Sequence, residues 1–329
     1  MTVLVYKNTK TTIPAWVSTI HVQNPRGVAY ETPTHFVHLY GHGEGLWILS
    51  TGLVATEKKV GSLRDWVERV FGAEDVKSSV RPEGLTVRGV WRPGLYYFEE
   101  TAQGLGISEQ EQRSAEQALR LLVERFDELL LYIEPDAHGL KAYSHKTREL
   151  LILACTELEN TWKHYMRIAG VTSLGNQFNT NDYVKLLGPL FLAEYEIRLR
   201  PYSSLPTLTP FSTWNPSAPT QSLAWYDAYN KTKHDRDQHF DKATLENCIA
   251  AVAANVVMFA VRFGPVTLYE SRGTLATLVN HLFGIELRNC APETFYTPLL
   301  AVPSGTRDDL ICGGRKDWVQ PWAIQPLVL

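Results

Sequence analysis

The feature that most constrains this chain is a region of helical periodicity that begins at Ser108 and ends at Gly264. Apolar residues in this region recur every three or four positions, which places them along one side of an α-helix. Ser108 and Glu111 form a capping-box pattern, because each side chain can bond a free backbone amide of the first turn. The periodicity predicts helices over residues 108–133, 145–168, 182–192, 221–236 and 242–263.

The residues before this region follow a different pattern. Short β-prone runs alternate with Gly and Pro, which is typical of strands joined by turns. One helix interrupts them, with Ser62 at its capping position. The predicted strands cover residues 2–6, 16–22, 36–40, 46–49 and 85–90.

After Pro265 one further helix is predicted over residues 274–283, and Pro and Gly interrupt the rest of the tail. Trp318 and Trp322 indicate that this tail packs on the body, because exposed tryptophans are unfavourable in water. The predicted fold class is mainly α, with a mixed α+β N-terminal portion and an irregular C-terminal tail. The predicted domains are a mixed α+β domain (1–106), a helical bundle (107–265) and a C-terminal extension (266–329).

The composition is that of a folded protein, with 44% hydrophobic and 20% charged residues in a chain of 329. The formal net charge is −3, so any contact with nucleic acid requires a local basic patch. No secretory signal is visible, and no apolar run reaches the roughly 18 residues of a membrane span. None of the four cysteines forms a CxxC pair. These features predict a cytoplasmic protein with reduced thiols and no membrane partner.

The fourth predicted helix carries the most informative polar residues. Tyr226, Asn230 and His234 are spaced by four and therefore share one face. A histidine exchanges a proton near neutral pH, and an asparagine can hold a proton donor or a phosphate oxygen. Lys233 and Arg236 flank that face and can neutralise a phosphate. The set indicates a phosphodiester site that needs neither a metal nor a cofactor.

A structural alternative accounts for the same residues. Cations near the carboxyl end of a helix stabilise that end, and the aromatic residues of this helix suit a core. The acidic residues of the second helix are equally open to two interpretations. Glu159 and Lys163 form a solvated pair worth only about 0.2–0.5 kcal/mol. Alternatively, Glu157 or Glu159 lies across from His234, orients its ring and raises its pKa.

The order of these elements resembles the HEPN superfamily over residues 145–264. A long helix with paired acids precedes a shorter helix, a helix ending in Asn-x-x-Lys-His and a closing apolar helix. Catalytic HEPN members carry an Arg, then a polar residue, then a His four positions after it. Asn230 and His234 match the last two, whereas Tyr229 occupies the Arg position.

The resemblance implies an RNA-directed effector that forms a homodimer and acts in bacterial stress or phage defence, as a toxin-like endoribonuclease. His234 would be the general acid or base, Asn230 would position the phosphate, and Arg236 or Lys233 would replace the missing Arg. Tyr229 at the Arg position keeps an alternative open, in which the same helices form a non-catalytic interaction and dimerisation protein.

A histidine cluster near the N-terminus supports a third interpretation, a metal or small-molecule enzyme. His35, His38 and His42 precede Glu44, and these residue types are ordinary ligands of zinc or iron. The segment alternates like a strand, however, and glycines follow it, which favours a turn with solvent-facing histidines. The sequence therefore predicts no metal site.

Overall fold

The computed structural model describes residues 2–10, 24–42, 46–173, 177–270 and 273–329. It divides into two compact units. The first unit comprises Met1–Val87, Trp91–Gly106 and Cys290–Gln325. The second comprises Arg88–Val90, Ile107–Asn289 and Pro326–Leu329. The predicted strand over 16–22 lies outside the described residues.

The strands, numbered in chain order, are β1 (Leu4–Lys7), β2 (Arg26–Glu31), β3 (His35–Gly41), β4 (Leu49–Lys58), β5 (Glu74–Ser78), β6 (Leu85–Val87), β7 (Tyr195–Leu199), β8 (Phe283–Leu287), β9 (Ile311–Gly313) and β10 (Ala323–Gln325). The helices of eight or more residues are α1 (Leu63–Phe71), α2 (Phe98–Leu105), α3 (Glu109–Leu130), α4 (His145–Ile168), α5 (Ala224–His234), α6 (Leu245–Phe263) and α7 (Thr274–Leu282).

The first unit is built on an antiparallel sheet. Within the described residues it has six strands in the order β5-β1-β2-β3-β4-β9. On one face, α1 buries Trp66 and Phe71 against Phe36. On the other face, Tyr30 and its neighbours pack with Phe295 and others from the C-terminal residues. Because both faces are covered, β3 is buried along its whole length.

The predicted fold class, mainly α, is wrong. The chain is 43% helix and 19% strand, and its large sheet makes it a mixed α and β protein. The tail predicted to be irregular supplies β8, β9 and β10, and β9 completes the sheet by pairing Gly313 with Val54 of β4. That pairing joins residues far apart in the sequence, and these strands have only three to five residues, so local periodicity gives no sign of them.

The second unit is organised around α6, in which nearly every residue is buried. Helices α3, α4 and α5 pack against it. Asn255 of α6 donates to the carbonyl of Ala154 of α4 at 3.0 Å, so a buried polar group is satisfied between the two helices. Strands β7 and β8 form an antiparallel pair in the same unit.

Helix α6 also has the length and apolar composition of a membrane-crossing segment, and among the described helices it is alone in this. In the structure 83% of its most apolar window is buried within the protein. A core helix of a folded unit has the same properties, so its composition follows from burial on all sides.

The predicted helix over 182–192 is largely absent. The chain forms a short helix, Thr180–Tyr183, then a single 3-10 turn, Val184–Leu186. Gly188 and Pro189 interrupt the pattern, and Phe191 adopts a left-handed conformation with a φ of 54°. Strand β7 begins four residues later, at Tyr195. The apolar residues that suggested one helix therefore lie in a short helix, in 3-10 turns and in the residues that join them.

The capping box predicted at Ser108 is half formed. The Ser108 hydroxyl accepts a hydrogen bond from the amide of Glu111 at 3.2 Å. The Glu111 carboxylate instead accepts two hydrogen bonds from Arg262, Nε to Oε1 at 2.7 Å and Nη2 to Oε2 at 2.8 Å. Nε2 of His164 lies 3.0 Å from Oε1 of Glu111. The Arg262 side chain is only 4% exposed, so the Glu111 carboxylate compensates a positive charge that water scarcely reaches.

We predict that Glu111→Gln lowers the free energy of unfolding by roughly 2–3 kcal/mol, because it leaves a buried guanidinium without its carboxylate. Urea unfolding at neutral pH measures this. Glu109→Gln is the matched control, since the Glu109 side chain is 92% exposed. An equal effect of the two substitutions would contradict the prediction.

The difference in unfolding free energy between wild type and Glu111→Gln should depend on pH. Burial alone would raise the pKa of Glu111, but His164 and Arg262 outweigh it and lower that pKa below its usual value of 4.5. A lowered pKa contributes stability above the unfolded value, and this contribution disappears as the pH falls through the folded pKa. The gap in stability between wild type and Glu111→Gln should therefore narrow below about pH 4.5.

Candidate functional site

Helix α5 turns one face into the second unit and the other to solvent. Trp225, Tyr226 and Tyr229 are buried, whereas Asn230 is partly exposed and His234 is exposed. Residues four apart are offset by about 40° around a helix, because each residue advances about 100°. The stripe of residues spaced by four therefore rotates from the interior at Tyr226 to solvent at His234.

Tyr226 holds α5 against α4. Its hydroxyl donates to Oε1 of Glu159 at 2.8 Å, and the Glu159 side chain is 19% exposed. Burial, and then the nearby Glu159 carboxylate, raise the pKa of Tyr226 well above its usual range. The phenol therefore remains a donor at any physiological pH. Nζ of Lys163 lies 3.9 Å from Oε2 of the Glu159 carboxylate.

The two glutamates of the predicted acidic pair point in different directions. They are two residues apart, so they lie about 200° from each other around α4. Glu159 faces α5, where its hydrogen-bond partner is Tyr226. Glu157 lines a cavity with Asn255 and Arg262, between α3 and α6. The structure brings Glu159 to the helix that carries His234, and it directs Glu157 elsewhere.

Tyr229, at the position of the HEPN Arg, is fully buried and forms a pair with Lys233. Nζ of Lys233 donates to the Tyr229 hydroxyl at 2.7 Å and lies 4.9 Å from the centre of the ring. Burial raises the pKa of Tyr229, and the hydrogen bond that Lys233 donates to Tyr229 raises the pKa of Lys233. A cation is therefore fixed on α5 one turn after the tyrosine.

The exposed end of α5 carries His234 and is followed by Arg236, which begins a short helix and is also exposed. Nδ2 of Asn230 donates to the carbonyl of Tyr226 at 3.0 Å, which directs the amide along the helix surface. Arg148 of α4 donates from Nη2 to the carbonyl of Thr232 at 3.2 Å. The last turn of α5 thus carries an exposed imidazole, a guanidinium bonds its backbone, and a second guanidinium follows in the next turn.

Sequence reasoning missed Arg148 and the aromatic residues beside it. Tyr143 pairs with Thr244 in an isolated β-bridge, which joins the start of α4 to the start of α6. The Phe240 ring lies 5.6 Å from that of Tyr143 and 4.9 Å from that of His145, between centroids. The one signal in the sequence is that residues 138–148 contain no acid.

The three candidate metal ligands are not brought together. His35 and His38 lie on opposite faces of β3, because successive residues of a strand alternate. His35 is close to the carbonyl of Arg307, and His38 contacts the Tyr6 hydroxyl and stacks on Phe71. His42 is exposed beyond the end of the strand, and Glu44 lies outside the described residues. Nowhere in the described ranges do three His, Cys, Asp or Glu side chains converge.

Comparisons of the chain with protein-family models, with curated proteins and with solved structures gave no match.

We predict that Tyr226→Phe lowers the free energy of unfolding by about 1.5 kcal/mol, the usual contribution of a hydrogen bond to a charged group. Tyr132→Phe is the control, because Tyr132 is 72% exposed. Urea unfolding of both variants, and of each combined with Glu159→Gln, gives the coupling energy directly. Additive effects of Tyr226→Phe and Glu159→Gln would show that this contact does not hold α5 to α4.

Proposed function

We propose that the second unit is a HEPN-like endoribonuclease that cleaves RNA without a metal, with His234 as the proton-transfer group. One observation carries the proposal: His234 is exposed at the end of α5, one turn after Asn230 and next to Arg236. These residues supply a titratable imidazole, a polar amide and a permanent cation at one place. The HEPN resemblance gives the same two residues, Asn230 and His234, the same roles.

The chemistry that suits this set is transesterification of RNA. The ribose 2′-oxygen attacks the adjacent phosphorus, the bond from phosphorus to the 5′-oxygen breaks, and a 2′,3′-cyclic phosphate and a 5′-hydroxyl result. Neutral His234 accepts the proton of the 2′-hydroxyl while water protonates the leaving oxygen, or protonated His234 protonates the leaving oxygen while water accepts the 2′ proton. Atoms and charge balance with no cofactor, because the nucleophile belongs to the substrate.

The phosphate gains negative charge in the transition state, and a fixed cation stabilises that charge. Lys233 is held by Tyr229 and keeps its proton, and Arg236 is exposed in the following turn. In the proposal these two residues replace the Arg that Tyr229 displaces. Asn230 lies between the buried and the exposed side of the helix and positions the phosphate.

The proposal includes a homodimer and a biological setting, both from the resemblance. Two copies of α5 side by side would supply two imidazoles to one phosphate, so one acts as base and the other as acid. The setting is a toxin-like response to bacterial stress or phage infection, in the cytoplasm.

A second candidate function is a non-catalytic interaction protein. The observation in its favour is the Tyr229–Lys233 pair, because the Arg position is occupied by a buried phenol whose hydroxyl engages the nearest cation of the helix. In this alternative α5 is a structural element, and the exposed end of the helix contacts a partner instead of cleaving a substrate.

We predict that His234→Ala lowers the rate of RNA cleavage by roughly 10²–10⁴-fold, the usual contribution of a positioned proton-transfer group. The assay uses mixed RNA with and without EDTA, and EDTA should leave the rate unchanged. Stability should not change, because the side chain is exposed. His281→Ala is the control, since His281 is an exposed histidine on another helix of the same unit.

Two results would contradict the proposal. Equal cleavage by wild type and His234→Ala would remove His234 from the mechanism. No cleavage by purified wild-type protein across varied RNAs would favour the interaction protein.

A further inference from the structure

A second surface of the second unit carries exposed aromatic rings. Tyr143 is 51% exposed, His145 is exposed, and Phe240 is partly exposed. The Tyr143 and Phe240 rings meet edge to face at 87°. The His145 ring packs against the Phe240 ring at an angle of 42°. We call these three residues the aromatic surface. Rings that cluster at a protein surface offer flat faces on which another ring system can stack.

The charges around the aromatic surface are mostly positive. Residues 138–148 contain Lys141, Lys146 and Arg148, two histidines and no acid. Residues 231–242 contain four Lys or Arg, two histidines and three Asp. The whole chain has a net charge of −3, so this is the kind of local patch that a contact with nucleic acid requires.

Two of these cations form ion pairs at the protein surface, and both pairs are weak. Nζ of Lys146 lies 2.8 Å from Oε1 of Glu128. Nζ of Lys242 lies 3.0 Å from Oδ2 of Asp241. Both pairs have side chains at least a third exposed, and exposed ion pairs contribute little. Such lysines can exchange a carboxylate for a phosphate at low cost. Glu149 and Glu246 are the nearest acids on α4 and α6, and both are exposed.

The aromatic surface is continuous with the end of α5. Arg148 lies three residues after His145 and bonds the carbonyl of Thr232, two residues before His234. Phe240 follows His234 by six residues, through the short helix Arg236–His239. Arg148 thus connects the helix that begins at His145 to the last turn of α5, which carries His234.

We propose that the aromatic surface binds an unpaired base of single-stranded RNA, which stacks on Tyr143 and meets Phe240 edge to face, beside the phosphate at His234. The inference rests on the proposed function. Aromatic rings bind unpaired bases through their faces, whatever the sequence, and cations hold the backbone between them. In a duplex both faces of each base are covered, so double-stranded RNA should bind more weakly.

The test uses a short single-stranded RNA with 2′-O-methyl groups, which cannot be cleaved because its 2′-oxygen has no proton to lose. It carries 2-aminopurine, whose fluorescence falls on stacking. Fluorescence anisotropy measures binding, and the fluorescence yield reports stacking. The variants are Tyr143→Ala and Tyr143→Phe, which keeps the ring. Phe98→Ala is the control, since Phe98 is a 55% exposed aromatic residue of the first unit.

We expect Tyr143→Ala to weaken binding roughly tenfold or more and to remove the fall in fluorescence. Tyr143→Phe and Phe98→Ala should bind like wild type, and a duplex of the same sequence should bind more weakly than the single strand. A loss with Tyr143→Ala but not with Tyr143→Phe separates stacking from a local structural role of the hydroxyl.

The failures are distinguishable. If Tyr143→Ala binds like wild type, or if duplex and single strand bind equally, the aromatic surface is not a base site, whereas His234-dependent cleavage would still support the proposed function. If Tyr143→Ala loses binding but wild type cleaves no natural RNA, the base site stands and the proposed function fails. If wild type binds no RNA, both are overturned.

Discussion

The burial of α6 is the constraint on which the second unit depends. A helix of nineteen residues that is apolar on all sides must be surrounded, and α3, α4 and α5 provide that cover. Helix α5 must then turn its aromatic side inward, which leaves Asn230 and His234 on the side that faces solvent. The exposure of the candidate site is therefore a consequence of how the core is filled.

Polar contacts fix the helices that surround α6. The Tyr226–Glu159 bond holds α5 to α4, and the Glu111–Arg262 pair holds α3 to α6. Thr244 joins the start of α6 to Tyr143 before α4. These contacts lie at the edges of an apolar core, where a partly solvated carboxylate costs less than a fully buried one. They give the end of α5 a defined position without making it part of the core.

The sequence predicts the long helices well, because periodicity and capping are local. It predicts β3 over residues 36–40 but not how the sheet is completed, since β9 joins β4 across most of the chain. At the site, spacing by four predicts that Asn230 and His234 are neighbours but not that Tyr226 turns inward. The direction in which Glu157 points depends on how α4 is rotated against its neighbours. The contact between Tyr143 and Phe240 depends on a bridge between distant residues. Neither is encoded locally.

We propose RNA cleavage at the exposed end of α5, by proton transfer through His234. The most direct measurement is the chemical identity of the new RNA ends after incubation with purified protein in EDTA. The account predicts 2′,3′-cyclic phosphate and 5′-hydroxyl ends, and their loss when the nucleotide at the cut has no 2′-hydroxyl. Ends with a 5′-phosphate and a 3′-hydroxyl, or cleavage that persists without the 2′-hydroxyl, would contradict it.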